Sequence, residues 1–172
     1  MPEGHTLHRV ARDHAKLFVG GKLATSSPQG RFADEARRLN NREVAGVEAI
    51  GKHLFYRWAP KGRSKKHDFL HIHLGLYGKF RLHKTRTEED SWPEPRGAVR
   101  LRVEGADAAF DLNGPNTCEL IDEAGFEHHR DRLGPDPLRK DADPERAWKR
   151  ISKSKAPIGA MLMNQEVISG VG

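Results

Sequence analysis

Apolar residues follow a helical spacing at the start of the chain and an alternating spacing in its middle. The helical spacing is carried by Leu7, Val10, Ala11, His14, Leu17 and Phe18. It predicts an amphipathic helix over residues 3–18, which Gly20-Gly21 ends. From about residue 44 to residue 112 the pattern becomes that of strands. We place four strands at residues 54–58, 69–74, 99–103 and 108–112.

The last third of the chain has a different pattern. The strands are predicted to end after Asn113-Gly114-Pro115, and residues 131–143 are predicted to be a linker. Asp143 and Pro144 have the residue types of a helix N-cap and first helical position. A second helix is predicted to begin at Ala156-Pro157-Ile158.

These elements predict an α+β fold that is mainly β. An N-terminal helix precedes a two-layered antiparallel β-sandwich or barrel, and a small helical module follows. We divide the chain into a β domain over residues 1–130 and a helical module over residues 131–172.

Charge narrows the classes of partner. The 172 residues include 30 Lys and Arg against 24 Asp and Glu, a net charge of +6. This balance favours a polyanionic partner such as nucleic acid. The sequence has no apolar run long enough for a membrane span and no apolar core of a secretory signal, so we expect no membrane partner and a cytoplasmic location.

Metal-ligating residues are scattered. Cys118 is the single cysteine, which allows no internal disulfide and no cysteine zinc cluster. His71 and His73 share one side of a predicted strand, but we expect no carboxylate or cysteine partner beside them. We therefore expect no metal site in this chain.

The amino terminus offers a candidate nucleophile. Met1 is usually removed before a small residue, and Pro2 would then carry a free secondary amine. An α-amino group titrates near ~8, against ~10.4 for lysine, so much more of it is unprotonated at neutral pH. Such an amine can attack an aldehyde-like carbon, and Glu3 supplies a carboxyl group for proton transfer. The alternative is a rigid residue that limits fraying of the terminus.

Further motifs follow this opening in a fixed order. They are Gly51-Lys52-His53-Leu54, His73-Leu74-Gly75-Leu76-Tyr77-Gly78-Lys79-Phe80, Leu133-Gly134-Pro135-Asp136-Pro137-Leu138, and Pro157-Ile158-Gly159-Ala160 with Ile168-Ser169-Gly170-Val171-Gly172. With Pro2-Glu3-Gly4 they resemble the bacterial formamidopyrimidine-DNA glycosylase/endonuclease VIII family over essentially the whole chain. The Pro-Glu-Gly opening resembles the endonuclease VIII branch.

The resemblance implies a bifunctional base-excision-repair enzyme, a DNA glycosylase and abasic-site lyase. Pro2 would attack the anomeric carbon as a Schiff-base nucleophile, and β,δ-elimination would cut the strand. Glu3 would act as general acid, and Lys52 would stabilise negative charge beside the sugar and phosphate. The residues alone leave Lys52 open between this role and that of a solvated turn lysine. The chemistry implied needs no metal and no soluble cofactor.

The resemblance also implies contacts to damaged DNA, double- or single-stranded. Leu76 and Tyr77 would enter the duplex and fill the space left by the flipped base. Lys79, Arg31 and Lys155 would meet phosphates. The segment around Asn113-Gly114-Pro115-Asn116 lacks the arginine and phenylalanine of the formamidopyrimidine branch, which favours oxidised pyrimidines as substrates. We expect a monomer that acts at the bacterial nucleoid.

The chain resembles a family member cut short. Gly170-Val171-Gly172 falls inside the helix–two-turns–helix module, and the zinc or zincless finger of the family would follow it. Family members often carry a structural zinc in that later region. We therefore expect weak DNA binding and weak activity from this chain alone.

Two alternatives belong to other functional classes. One is a catalytically silent DNA-binding or lesion-sensing protein of the same fold. The other is a basic β-domain that binds RNA, against which stands the absence of an aromatic RNP-like strand or a KH-type GXXG loop in the sequence.

Overall fold

A computed structural model describes residues 2–172; Met1, and with it the expected removal of that residue, lies outside the described residues. The helices are α1 Gly4–Phe18, α2 Ala33–Leu39, α3 Glu123–Arg132, α4 Pro144–Ile151 and α5 Ile158–Met163. The strands are β1 Lys22–Ser26, β2 Arg42–Ile50, β3 His53–Trp58, β4 Asp68–His73, β5 Lys79–His83, β6 Val99–Glu104, β7 Ala109–Asn113 and β8 Thr117–Ile121. Within the described residues, none of the helices is both long enough and apolar enough to span a bilayer.

The strands form one antiparallel sheet that divides into two halves. Their order is β5-β7-β6-β1-β2-β3-β4-β8. β1 and β2 are joined by two residue pairs, Lys22 with Glu43 and Leu23 with Arg42. The halves are therefore β5-β7-β6-β1 and β2-β3-β4-β8, connected at a short corner.

A single apolar cluster lies between these two halves. It takes Leu54, Tyr56, Leu70 and Ile72 from β3 and β4, and Leu101, Val103, Phe110 and Leu112 from β6 and β7. The ring centroids of Tyr56 and Phe110 lie 5.9 Å apart across the interface. The predicted α+β fold, with a two-layered antiparallel sandwich, is confirmed.

The first helix forms as its spacing predicts. Leu7, Ala11, His14 and Phe18 are buried at intervals of three and four residues, so they lie on one face of α1. That face packs against β2. The four predicted strands are also present as β3, β4, β6 and β7, with ends shifted by one residue.

Several elements were not predicted. The strands do not end at Pro115, because β8 adds a further edge strand beside β4. The missed helix α3 carries few apolar residues, but its Phe126 ring stacks on Phe69 at 4.4 Å and meets Phe55 at 5.1 Å. Strands β1 and β5 and helix α2 are short. The N-cap role of Asp143 is confirmed, since its side chain accepts the Glu145 amide hydrogen.

His14 is the one histidine of the α1 core face, and it makes the fold sensitive to acid. Its Nδ1 lies 2.6 Å from the Tyr56 hydroxyl, and the rings of Phe110 and Phe80 lie about 5 Å away. Burial lowers the pKa of His14 to about 4, and the nearby charge of Asp13 opposes this shift. The unfolded chain binds this proton near pH 6.5 and the folded chain binds it near pH 4, so unfolding takes up a proton between those values.

Stability is therefore expected to fall as the pH drops from 6.5 towards 4. From pH 7.5 to pH 5, His14 should remove about 2 kcal/mol from the free energy of unfolding. Urea titrations at both pH values measure this, with the double variant His14→Phe, Tyr56→Phe as reference. The double variant removes both polar partners together, so no buried hydroxyl is left unsatisfied. If the free energy of unfolding falls equally in both proteins between pH 7.5 and pH 5, His14 is not the group responsible.

Candidate active site

Three distant segments of the chain meet at one end of the fold: residues 2–4, the turn at residues 51–52 and residues 165–172. The Gly4 amide donates to the Gly170 carbonyl at 3.0 Å. Gly51 has φ +58, and a Cβ there would lie 2.8 Å from the Ser169 Cβ. Since a side chain at Gly51 would be both strained and blocked, glycine allows the turn to approach the chain end closely.

Glu3 and Lys52 form an ion pair where these segments meet. The Lys52 Nζ lies 3.2 Å from the Glu3 Oε2, and their side chains are 7% and 26% exposed. Lys52 occupies the β2–β3 turn, and Glu3 is the residue before α1. Pro2 directly precedes Glu3 and is half-buried. The structure thus brings Glu3 and Lys52 together, one residue away from Pro2.

A cavity of about 470 Å³ opens beside Lys52. Its lining residues are Lys52, His53, His73, Arg132, Leu133, Met163, Gln165 and Glu166. Arg132 and Glu166 lie on its wall together with Lys52, whose ammonium is already paired with Glu3. Its volume is in the range of ordinary small-ligand sites.

Asp136 fixes the turn that carries Lys52, and no role for it was predicted. Its side chain is buried, and its Oδ2 accepts from the Gly51 amide at 2.6 Å and from the His8 Nε2 at 2.7 Å. Its Oδ1 accepts from the Leu138 amide at 2.9 Å. The sequence signal that could have revealed this role is the position of Asp136 between two prolines, in a motif whose other residues are apolar or glycine.

Gln165 holds the chain end in the same way. Its Oε1 accepts from the Gly170 amide at 2.8 Å, and its Nε2 donates to the Val171 carbonyl at 2.7 Å. Sequence reasoning missed this residue too. Its contacts lie within residues 131–172, whereas Asp136 joins that segment to the β2–β3 turn. The division of the chain into two domains stays a prediction.

Leu76 and Tyr77 lie in the loop between β4 and β5. They are 70% and 84% exposed, so neither packs inward. The loop is not the hairpin turn that its glycines suggest, because β4 and β5 lie in different halves of the sheet. A Cβ at Gly78 would lie 2.2 Å from the Leu74 carbonyl oxygen, so the loop needs glycine there to turn tightly.

The predicted phosphate contacts are all on the surface. Lys79 is exposed and lines a cavity of about 350 Å³ with Tyr77, Arg81 and Arg96. Arg31 precedes α2 and Lys155 precedes α5, and both are exposed. The structure joins Lys79 to the Leu76–Tyr77 loop; it does not bring Arg31 or Lys155 into contact with the Glu3–Lys52 pair.

The two histidines of β4 have different partners. His73 Nδ1 lies 3.0 Å from the Lys52 carbonyl oxygen. His71 Nδ1 lies 2.7 Å from Glu119 Oε1, because β8 runs beside β4. The premise that His71 lacks a carboxylate neighbour is therefore wrong. Burial lowers the pKa of His53 to about 3 and the pKa of His71 to about 4, so both rings are neutral at pH 7.

Comparison with known proteins gives consistent results. The family model described as the formamidopyrimidine-DNA glycosylase N-terminal domain matches residues 1–116. Endonuclease 8 1 of Mycobacterium tuberculosis is 52% identical over 173 residues, covering 100% of this chain and 62% of the relative. A formamidopyrimidine-DNA glycosylase of Thermomicrobium roseum is 28% identical, covering 100% of this chain and 64% of the relative.

The fold is also that of solved structures. A Lactococcus lactis Fpg in complex with DNA containing an abasic site superposes with a TM-score of 0.74 at 23% identity, covering 99% of this chain and 62% of that one. The chain thus spans somewhat less than two thirds of the relatives it matches. The family match over residues 1–116, together with the ordered motifs, shows that the chain belongs to the formamidopyrimidine-DNA glycosylase/endonuclease VIII family.

Proposed function

We propose that this chain carries the catalytic part of a base-excision-repair DNA glycosylase with abasic-site lyase activity. The observation that carries the proposal is the Lys52–Glu3 pair, with 3.2 Å between Nζ and Oε2, directly after Pro2. An amine, a carboxyl group and a cation thereby lie close together, and Lys52 also lines the neighbouring cavity. We propose oxidised pyrimidines as substrates because the chain opens as the endonuclease VIII branch does, and a relative named Endonuclease 8 1 is 52% identical to it.

In the first step the unprotonated Pro2 nitrogen attacks the anomeric carbon of the damaged nucleoside. The bond between this carbon and the base breaks, and the base leaves with the proton that the proline nitrogen gives up. The Glu3 carboxylic acid then protonates the ring oxygen of the deoxyribose. The sugar ring opens, and a positively charged iminium links Pro2 to the sugar.

The iminium makes the elimination steps possible because it withdraws electrons from the sugar. A proton leaves the carbon next to the iminium, and the 3′ phosphate is expelled. Loss of a second sugar proton then expels the 5′ phosphate, and water releases the enzyme. Lys52 stabilises the negative charge that develops on the departing oxygens, in a position where little water screens it.

The exposed loop with Leu76 and Tyr77 supports a role in opening the duplex. Moving a nucleotide out of the stack costs a few kcal/mol, and an inserted aromatic or apolar group recovers part of that cost. Lys79 begins β5 directly after this loop, and we propose that it meets a backbone phosphate. Arg31 and Lys155 are proposed as further phosphate contacts on the strength of the resemblance alone.

Borohydride trapping on an oligonucleotide with an abasic site tests the proposal. Low salt and protein in excess compensate for missing phosphate contacts, because these contacts weaken steeply as salt rises. We expect a covalent adduct, and mass spectrometry of its peptides should place the sugar on a peptide that begins at Pro2. An adduct on any other residue, or no adduct with DNA demonstrably bound, would overturn the proposal.

A proline variant and its control sharpen this test. Pro2→Gly replaces the fixed iminium by an imine that must first be protonated, so the adduct should fall by roughly tenfold. Pro28→Gly changes an exposed loop proline in the same way and should trap as the parent chain does. A catalytically silent DNA-binding protein would bind the oligonucleotide without trapping it.

A further inference from the structure

A cluster of histidines lies on the outer face of the β2-β3-β4-β8 half, and its His53 also lines the cavity beside Lys52. His71 on β4 and Glu119 on β8 are directly paired across the strands. Helix α3 crosses this face, anchored by Phe126 on Phe69. His129 follows Phe126 by three residues, so it lies on the same side of the helix, and its ring centroid is 4.3 Å from that of His71.

We propose that His71, Glu119 and His129 form a binding site for a divalent transition-metal ion, with Zn²⁺ as the best-fitting occupant. One ligand atom from each residue lies within 4.8 Å of the other two. His71 Nδ1 is 2.7 Å from Glu119 Oε1, and His129 Nε2 is 3.9 Å from the same oxygen. Two imidazoles and one carboxylate are a donor set that Zn²⁺ accepts in proteins, with water as a fourth ligand.

The distances need small adjustments. Ligands about 2.1 Å from a tetrahedral ion are separated by about 3.4 Å, so His71 and Glu119 must move apart slightly and His129 must approach. Glu119 can provide this movement because its side chain is 47% exposed. The same exposure gives an ion a path from solvent and leaves room for the water ligand.

The second ring nitrogen of His129 has no partner in the part of the chain that the structure describes. His129 Nδ1 is buried and has no hydrogen-bond partner within the described residues. A buried ring nitrogen without a partner is costly, and its presence calls for an explanation. The nitrogen that faces Glu119 is Nε2, so with Nε2 on the ion Nδ1 would carry the ring proton and donate it to solvent or to a shifted neighbour.

A second histidine orients the first. His53 Nδ1 lies 2.8 Å from His71 Nε2, so His71 is held at both ring nitrogens. When His71 Nδ1 binds the ion, its proton moves to Nε2 and is donated to His53 Nδ1, whose own proton moves to Nε2. Ligating histidines usually have such a partner, which fixes the ring and its tautomer. Here His53 is that partner.

The ion would fasten α3 to the sheet. Helix α3 leads directly into residues 133–136, and Asp136 holds the turn that carries Lys52. A metal here would therefore have a structural role near the candidate active site. This inference does not depend on the proposed activity, because it is tested by metal binding alone.

Titration of the chelator-treated chain with Co²⁺ and Zn²⁺ tests the site. Co²⁺ should give a visible absorption band that saturates at one ion per chain, and Zn²⁺ should displace it. Zn²⁺ at about 100 times its Kd should raise the Tm by roughly 5–10 °C. Absence of a stoichiometric Co²⁺ band would overturn the proposal and leave the cluster as a hydrogen-bonded histidine network.

Matched variants separate this site from weak surface binding. Glu119→Gln keeps the size of the side chain and an acceptor for His71, and should weaken Co²⁺ binding at least tenfold. His129→Gln should do the same. His128→Gln removes the exposed neighbouring histidine of α3 and should leave binding unchanged. Equal affinity in all four proteins would place the ion elsewhere and refute the assignment.

Discussion

A Glu3→Gln chain is expected to excise an oxidised base at least 100-fold more slowly than the parent chain. General acid–base groups contribute about 10²–10⁴-fold, and glutamine cannot deliver a proton to the sugar ring oxygen. Glutamine has nearly the same size as glutamate, so it can still contact Lys52, but the contact is no longer an ion pair. Single-turnover excision from an oligonucleotide with one oxidised pyrimidine measures the effect.

The same variant should behave differently on an abasic site that is already formed. Such a sugar exists partly as the open aldehyde, so it needs less help from a proton donor. Trapping by Glu3→Gln should therefore fall by a smaller factor than excision does. Glu43→Gln, which changes an exposed carboxylate on β2, is the matched control and should leave both rates unchanged. Equal losses for excision and for trapping would show that Glu3 acts in a step common to both.

Asp136→Ala is expected to destabilise the fold by about 3 kcal/mol. The buried carboxylate accepts hydrogen bonds from the Gly51 amide, the Leu138 amide and the His8 ring. Its removal leaves these donors without partners, and breaking such buried polar networks costs a few kcal/mol. The midpoint of urea unfolding at pH 7.5 reports the change if the slope of the transition is unaltered.

Asp136→Ala should also disturb the candidate active site. Gly51 precedes Lys52, so release of its amide frees the turn and lets the Lys52 ammonium move away from Glu3. Trapping on abasic DNA should decrease even at temperatures where the variant is fully folded. Asp131→Asn changes an aspartate that is 78% exposed, and it should alter stability by less than about 0.5 kcal/mol. If Asp136→Ala changes the free energy of unfolding by as little as Asp131→Asn does, Asp136 does not anchor the turn.

The parts of the fold that could be predicted are those whose own residues carry a periodic signal. Helix α1 and strands β3, β4, β6 and β7 have such signals because each buries apolar residues at the spacing of its own secondary structure. Helix α3 has no such stripe, and it is held by one phenylalanine against the sheet and by the Asp122 cap. Strand β8 has half-buried residues along most of its length, as expected for an edge, so alternation is weak.

The candidate site divides in the same way. Pro2, Glu3 and Lys52 could be proposed from residue chemistry and from the motifs that surround them. Asp136 and Gln165 could not, because their importance comes from contacts with residues far away in the sequence. The pairing of His71 with Glu119 was missed for the same reason, since it needs the position of β8. Long-range neighbours are what spacing along a single chain cannot provide.

The hydrogen bond from the Gly4 amide to the Gly170 carbonyl has a consequence for biosynthesis. A ribosome adds roughly 5–20 residues per second, so on the order of ten seconds or longer passes between emergence of the first residues and of Gly170. During that interval the amino terminus cannot complete its docking. Enzymes that trim nascent chains can therefore reach Met1 before folding encloses the residues behind it.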